Sequence, residues 1–240
     1  MHLKNKKVLI TGVGSGLGKY FSKEIFNSFA LSRHNKADIL NRCSGVDLVI
    51  HCAFNTKSHD RYQLLKDNIF LTKELCELNP KKIVYISSID VYNENKTNYN
   101  TLKLFAESIV ENESNDFLIL RCPALVGADM RKNNFLKIVE DDHPKLSLTG
   151  RSSFNFISHN DLLKIIDRSV NVGLSGVYDA VSSGNVTLKD IAEFCGKDCD
   201  FGKFTYSTPQ LDNAKIISDF EFMNKKSIDV VKNFLRENYE

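Results

Sequence analysis

Tyr99 and Lys103 are four residues apart, so a helix through them carries a phenol and an ammonium on one face, one turn apart. An ammonium so placed favours the phenolate, which predicts a Tyr99 pKa below the usual value of about 10. A phenol tuned in this way exchanges a proton with a carbonyl or carbinol oxygen while hydride moves at the carbon. The apolar run before Ser87 and Ser88 reads as a strand, and the Ser88 hydroxyl at its carboxyl end is placed to hydrogen-bond that oxygen. Tyr-x-x-x-Lys also recurs by chance, as a surface tyrosine beside a solvated lysine. Its weight here comes from order along the chain: a glycine-rich loop, then the serine pair, then the tyrosine and lysine.

The glycine-rich loop is Thr11-Gly12-Val13-Gly14-Ser15-Gly16-Leu17-Gly18, entered from the apolar run Val8–Thr11. Gly12 is expected to take the tight turn. Gly14, Ser15 and Gly16 would bring the backbone against a pyrophosphate, and Gly18 would let the helix that starts near Leu17 pack on the strand. Free N–H groups at that helix start favour phosphate. No Gly-Lys-Ser/Thr follows, which excludes a P-loop. The ligand implied is a nicotinamide dinucleotide, and Lys103 is placed to hold its ribose. The second strand ends in Leu31-Ser32-Arg33-His34-Asn35-Lys36, without the acid that commonly binds the ribose of NAD. Arg33 suits a 2′-phosphate, so the expected cofactor is NADP, with NAD as the alternative.

These groups need a frame. Apolar runs at 8–11, 29–32, 37–40, 47–53, 83–87 and 117–121 read as strands, and 17–27, 62–78 and 98–112 as helices between them. That alternation predicts an α/β fold, a Rossmann-like doubly wound parallel sheet that binds ligands beyond the carboxyl ends of its strands. Pro123 ends the strand before it. Further on, 133–140, 161–170, 187–195 and 227–238 read as helices and 146–148 and 177–180 as extended pieces. Ser158 or Asn160 would cap one helix, and Thr187 with Asp190 another. The division expected is a dinucleotide-binding core over 1–127 and a small C-terminal substrate-binding cap over 128–240, with about 154–182 returning to the core.

The 240 residues carry 32 basic and 30 acidic side chains, a net charge of +2, so nothing points to nucleic acid. No apolar run is long enough for a bilayer, and the N-terminus lacks a signal-peptide core, so a cytosolic location is the default. The six cysteines form no Cys-x-x-Cys pair and read as buried free thiols, with no metal site expected.

The ordered segments resemble the NAD-dependent epimerase/dehydratase family, the extended-type short-chain dehydrogenase/reductases that modify nucleotide sugars. The carriers are Thr11–Gly18, Val46–Ala53, Ser87-Ser88 with Val91-Tyr92, Tyr99 with Lys103 and Glu107, the Leu120-to-Gly127 stretch, Phe156-to-Asp161, Gly176-to-Asp179, and 186–192. The resemblance implies catalytic Ser88, Tyr99 and Lys103. It adds Asp38, Ala53, Asn68 and Pro123 to the cofactor contacts. It implies a nucleotide-sugar substrate, a homodimer through the helices near 62–78 and 98–112, and no membrane partner. Ile89-Asp90 differs from the Asp-Glu pair of that family's 4,6-dehydratases and argues against a dehydratase. The loop has Ser15 where the extended group has glycine, and the Tyr92–Tyr99 link is short. Arg131, Lys132, Asn134 and Arg151 are expected in the cap, as substrate-diphosphate contacts or equally as solvated surface. His159 stands at a usually apolar position and is assigned no catalysis. Three functions stay open: a keto-reductase of a nucleotide-linked sugar, favoured by NADP; a 4-epimerase with tightly held NAD; and a non-catalytic dinucleotide sensor or scaffold.

Overall fold

In the strands of this chain, successive side chains leave on opposite faces, as extended backbone requires. Leu9, Val49, Ile83, Tyr85 and Ile119 enter one buried cluster, and Ile10, Leu48, Ile50, Val84, Leu118 and Leu120 another. A sheet buried on both faces needs helices on both, which defines a doubly wound architecture. The computed structural model describes residues 2–239. Its first half runs β1 (Val8–Thr11), α1 (Gly16–Glu24), β2 (Phe29–Leu31), α2 (Lys36–Arg42), β3 (Leu48–His51), α3 (Arg61–Leu65), a π-helical turn (Lys66–Phe70), α4 (Leu71–Glu77), β4 (Lys82–Ser88), α5 (Asn98–Glu113) and β5 (Phe117–Cys122). After it come β6 (Ala124–Val126), α6 (Asn134–Glu140), β7 (Ser153–Phe154), β8 (Phe156–Ser158), α7 (His159–Val172), β9 (Gly176–Asp179), β10 (Val186–Thr187), α8 (Leu188–Phe194), α9 (Ala214–Asp219) and α10 (Ser227–Tyr239).

The main sheet has the order β2-β1-β3-β4-β5-β9, all its pairs parallel. The order reverses beside β1, so a crevice opens between the ends of β1 and β3. The expected strand at 37–40 is a helix, α2. A run of four such residues is ambiguous in period, and only Ile39 of this helix is buried against the sheet. The expected long helix at 62–78 is continuous but carries the π-helical turn in its middle.

Beyond β5, β6 pairs with β8 in parallel, and β7 with β10 in antiparallel fashion. Val126, Phe135, Phe156, Leu188, Ile191, Val231 and Phe234 build a third apolar cluster here. The cap of α7 is Ser158, whose Oγ accepts from the Asp161 N–H. Thr187 and Asp190 form a full capping box on α8. The extended piece at 146–148 joins the rest through a bridge from Leu148 to Phe204. All six cysteines are free, three of them buried and three half-buried. Among the described residues no helix is long and apolar enough to cross a membrane.

Candidate active site

The crevice is shaped first by a chain of hydrogen bonds behind it. The Ala53 N–H donates to Thr11 Oγ1 (3.0 Å), which bonds His51 Nδ1 (2.7 Å), and His51 Nε2 bonds Thr72 Oγ1 (3.0 Å). Thr72 Oγ1 donates to the Asn68 carbonyl. One polarity satisfies every member: a neutral His51 that donates from Nε2 and accepts at Nδ1. Burial drives the His51 pKa down to about 3, in keeping with that neutral ring. β1, β3 and α4 are thereby locked at the ends that carry the site.

Gly12 takes φ +75°, and a Cβ on it would stand 2.9 Å from the Ala53 nitrogen. Gly18 lies so close to the turn that a Cβ would meet the Gly12 carbonyl oxygen at 2.5 Å. Only glycine lets α1 approach β1 this closely. Gly14 faces open space, where a Cβ would meet nothing within 4 Å.

Two lobes meet at this loop. The larger, about 530 Å³, is lined by Gly12, Gly14, Arg33, Ala53, Asn55 and Asp67 among others. The smaller, about 320 Å³, takes in Ser15, Gly16, Leu17, Gly18, Ser88, Tyr99, Lys103 and Pro123. Phe54 and Arg131 line both. Glycine loop, serine, tyrosine and lysine, far apart in sequence, therefore share one continuous cleft.

Ser88 ends β4, and its Oγ accepts from the Asp90 N–H (3.2 Å), capping a short 3-10 turn. Tyr99 stands in the first turn of α5, which Thr97 caps. Lys103 is buried one turn later, and its Nζ donates to the Ile86 carbonyl (2.7 Å). The ammonium lies 4.2 Å from the Phe54 ring centre and 4.8 Å from that of Tyr85. Phe54 also meets Tyr99 edge-on at 5.2 Å.

The Tyr99 pKa departs from expectation. Burial raises it to about 12; the Ser88 hydroxyl opposes the rise, and Asp90 adds to it. Lys103 fails to lower it because the ammonium points to Ile86 and sits 6.0 Å from the Tyr99 ring centre. Burial also lowers the Lys103 pKa, to about 8. The same helical face continues to buried Glu107, which accepts from Ser87 Oγ and pairs with Arg121 (2.6 Å). Arg121 donates to the Tyr92 hydroxyl (2.7 Å), which in turn donates to Asp179 (3.0 Å).

Other expected residues fall elsewhere. Asp38 points off α2 to Arg42 (3.3 Å) and is largely exposed, outside both lobes. Asn68 is buried in the π-helical turn behind the cleft. Its amide bonds both the N–H (2.7 Å) and the carbonyl (3.0 Å) of Asn55, fastening the loop after β3. Arg33 is exposed and lies 3.6 Å from Asp67. Asn134 opens α6 and Arg151 is exposed, and neither lines a lobe, whereas neighbouring Asn133 does. Lys132 pairs with Asp141 (3.0 Å). His159 lines the smaller lobe, and its Nδ1 bonds the Ala128 carbonyl (3.1 Å). Three cleft residues carried no sequence signal of their own: Phe54 just after β3, Asp67 inside the π-helical turn, and Asn133 at the cap of α6. Tyr206 is a fourth residue that comes to the site region, donating to Asp90 (2.6 Å) across 116 positions of sequence.

No protein-family model and no curated protein matches the sequence. Solved structures do match in fold. A dTDP-4-dehydrorhamnose reductase from Bacillus anthracis, in complex with NADP, superposes with a TM-score of 0.78 at 17% identity, over 97% of this chain and 98% of that one. MoeE5, in complex with UDP-glucuronic acid and NAD, gives 0.74 at 17% over 96% and 99%. A UDP-N-acetylglucosamine 4-epimerase from Bacillus cereus gives 0.71 at 20% over 98% and 100%. At these identities the likeness establishes a shared fold over nearly the whole length: this chain has the Rossmann-like α/β architecture on which those reductases and epimerases are built.

Proposed function

We propose that this protein is an NADP-dependent keto-reductase acting on a nucleotide-linked sugar. The observation that carries the reading is the convergence of Ser88, Tyr99 and Lys103 with the glycine loop in one cleft. The residues present fit a dinucleotide. Gly14 leaves room beside the loop, and the two joined lobes supply an elongated site. At the end beyond β2, Arg33, Lys36 and Lys66 outnumber Asp67 among the lining residues, which suits a 2′-phosphate. The neighbours in fold support the substrate class: among them are a dTDP-4-dehydrorhamnose reductase in complex with NADP and MoeE5 in complex with UDP-sugars and NAD.

A reduced nicotinamide dinucleotide would supply the hydride. The chain's own residues manage the oxygen. Ser88 hydrogen-bonds the carbonyl oxygen, and Tyr99 gives it a proton as it takes on alkoxide charge. Tyr99 keeps its proton over the physiological range, which suits a donor. Lys103, fixed by the Ile86 carbonyl, would hold the ribose of the dinucleotide through its ammonium. Asn133 at the α6 cap and Met130 line the smaller lobe and would face the sugar nucleotide, on a small cap over the core. Exposed Phe70 and Phe105, beside α4 and on α5, would form a homodimer face.

The test is NADPH oxidation with a dTDP- or UDP-linked 4-keto sugar. Turnover is expected, with a loss of about 10²-fold or more in Tyr99→Phe. Unchanged turnover in Tyr99→Phe would remove the catalytic role. The NAD-bound complexes among the neighbours favour a second reading, a 4-epimerase. Native mass spectrometry separates the two, because the epimerase would retain NAD through purification and the reductase would not.

A further inference from the structure

The segment between β6 and α6 folds back over the glycine loop and is fastened there. Asp129 adopts φ +62° and presents its carbonyl to the Gly16 N–H (2.8 Å). Its carboxylate pairs with Lys19 (2.7 Å) and Lys23 (2.6 Å) of α1. On the other side of this strap, the Ala128 carbonyl meets the His159 ring. The strap is thus held to α1 and to α7.

This arrangement changes the phosphate chemistry of the loop. A helix start binds phosphate through its unpaired N–H groups. Here the Gly16 N–H is already engaged by the strap, and the two lysines of α1 are drawn onto the Asp129 carboxylate, which offsets one of their two charges. The same strap returns a cation. Arg131 reaches from it to Ser15 Oγ (3.0 Å through Nε) and stands 4.0 Å from the Cβ position of Gly16. Its two terminal nitrogens have no hydrogen bond or ion pair among the described residues. It borders both lobes, where they meet at the loop.

We infer that Arg131 is the diphosphate clamp of the dinucleotide site, a guanidinium delivered by the strap in place of the Gly16 amide. Nε holds Ser15, and the paired terminal nitrogens are free to grip two phosphate oxygens, the geometry in which arginine binds phosphate best. The inference rests on the dinucleotide reading above and assigns Arg131 to the cofactor rather than to the sugar nucleotide. Both molecules carry a diphosphate, so the experiment must separate them.

The pyrophosphate is common to NADPH and NADH, whereas the 2′-phosphate is not. Dissociation constants are measured by titration calorimetry for NADPH, NADH and UDP with the full chain. In Arg131→Ala, the constants for NADPH and NADH are expected to rise together by about tenfold or more, with that for UDP unchanged. Asp129→Ala, which removes the strap's ion pairs to Lys19 and Lys23 and keeps the arginine, is expected to give a smaller rise of the same pattern. In Arg33→Ala the rise is expected for NADPH alone. Unchanged dinucleotide constants in Arg131→Ala, or a loss confined to UDP, would overturn the inference and leave the dinucleotide reading intact. A wild-type chain that binds neither dinucleotide overturns both.

Discussion

Tyr99 and Lys103 show how burial can outweigh a neighbouring charge. Burial penalises each charged form, so the phenol is pushed up to about 12 and the ammonium down to about 8. For Lys103 that shift from the usual 10.5 corresponds to about 3 kcal/mol held against the charged form. The two shifts set a direction for catalysis. A protonated Tyr99 serves reduction; oxidation of a carbinol needs the phenolate. We therefore expect ketone reduction to hold level from about pH 6 to about pH 8 and to fall above, as Lys103 loses its charge. Carbinol oxidation should rise with pH over the same span. Steady-state rates in both directions check this, and a reduction rate that stays level to about pH 10 would remove the charge of Lys103 from the mechanism.

Among the elements, β1, β3 and α4 are joined by the hydrogen-bond chain through His51. Protonation would put a donor on Nδ1, where Thr11 already donates, and break the chain at its centre. The unfolded chain takes up that proton near the usual 6.5, and the folded one only near about 3. The stability this contributes is complete above about pH 6.5 and is lost progressively as pH falls toward 3. Buried His159, lowered to about 4, acts in the same direction. Each costs about 2 kcal/mol at about pH 5. The urea midpoint is expected to drop clearly between about pH 7.5 and about pH 5, and equal midpoints would show that His51 accepts its proton in place. The π-helical turn belongs to the same assembly, since it is where Asn68 turns its amide to Asn55 and holds the loop that carries Phe54.

Across the whole molecule, Glu107 connects four parts of the fold. From α5 it holds Ser87 of β4 and Arg121 of β5, and through Tyr92 the network reaches Asp179 of β9. Glu107 is 3% exposed, so removing it strands the Arg121 guanidinium in a poorly solvated place. Glu107→Ala should cost about 3–5 kcal/mol in urea unfolding, and adding Arg121→Met should restore much of it. A cost below about 1 kcal/mol would show that the network is ornamental to stability. Its bond to Ser87, the neighbour of Ser88, also ties the integrity of the sheet to the geometry of the cleft.

The strands and the chain order of the site could be read from residue order, because both are local. Alternating apolar residues specify a strand face, Thr187 and Asp190 specify a cap, and four-residue spacing places Tyr99 over Lys103. Residue order failed at 37–40, where four residues do not distinguish a period of two from one of 3.6, and no turn signal betrayed the π-helical turn. The electrostatics came only from the packing of the folded chain. The Tyr99 pKa depends on burial and on the Ile86 carbonyl that draws Lys103 away, neither of which is written in the spacing. The same holds for Asn68, legible as a cofactor contact but placed behind the cleft as a fastener. It holds for Arg131, brought to Ser15 across 116 residues. Contacts of that range arise from how the elements pack, so no local pattern announces them.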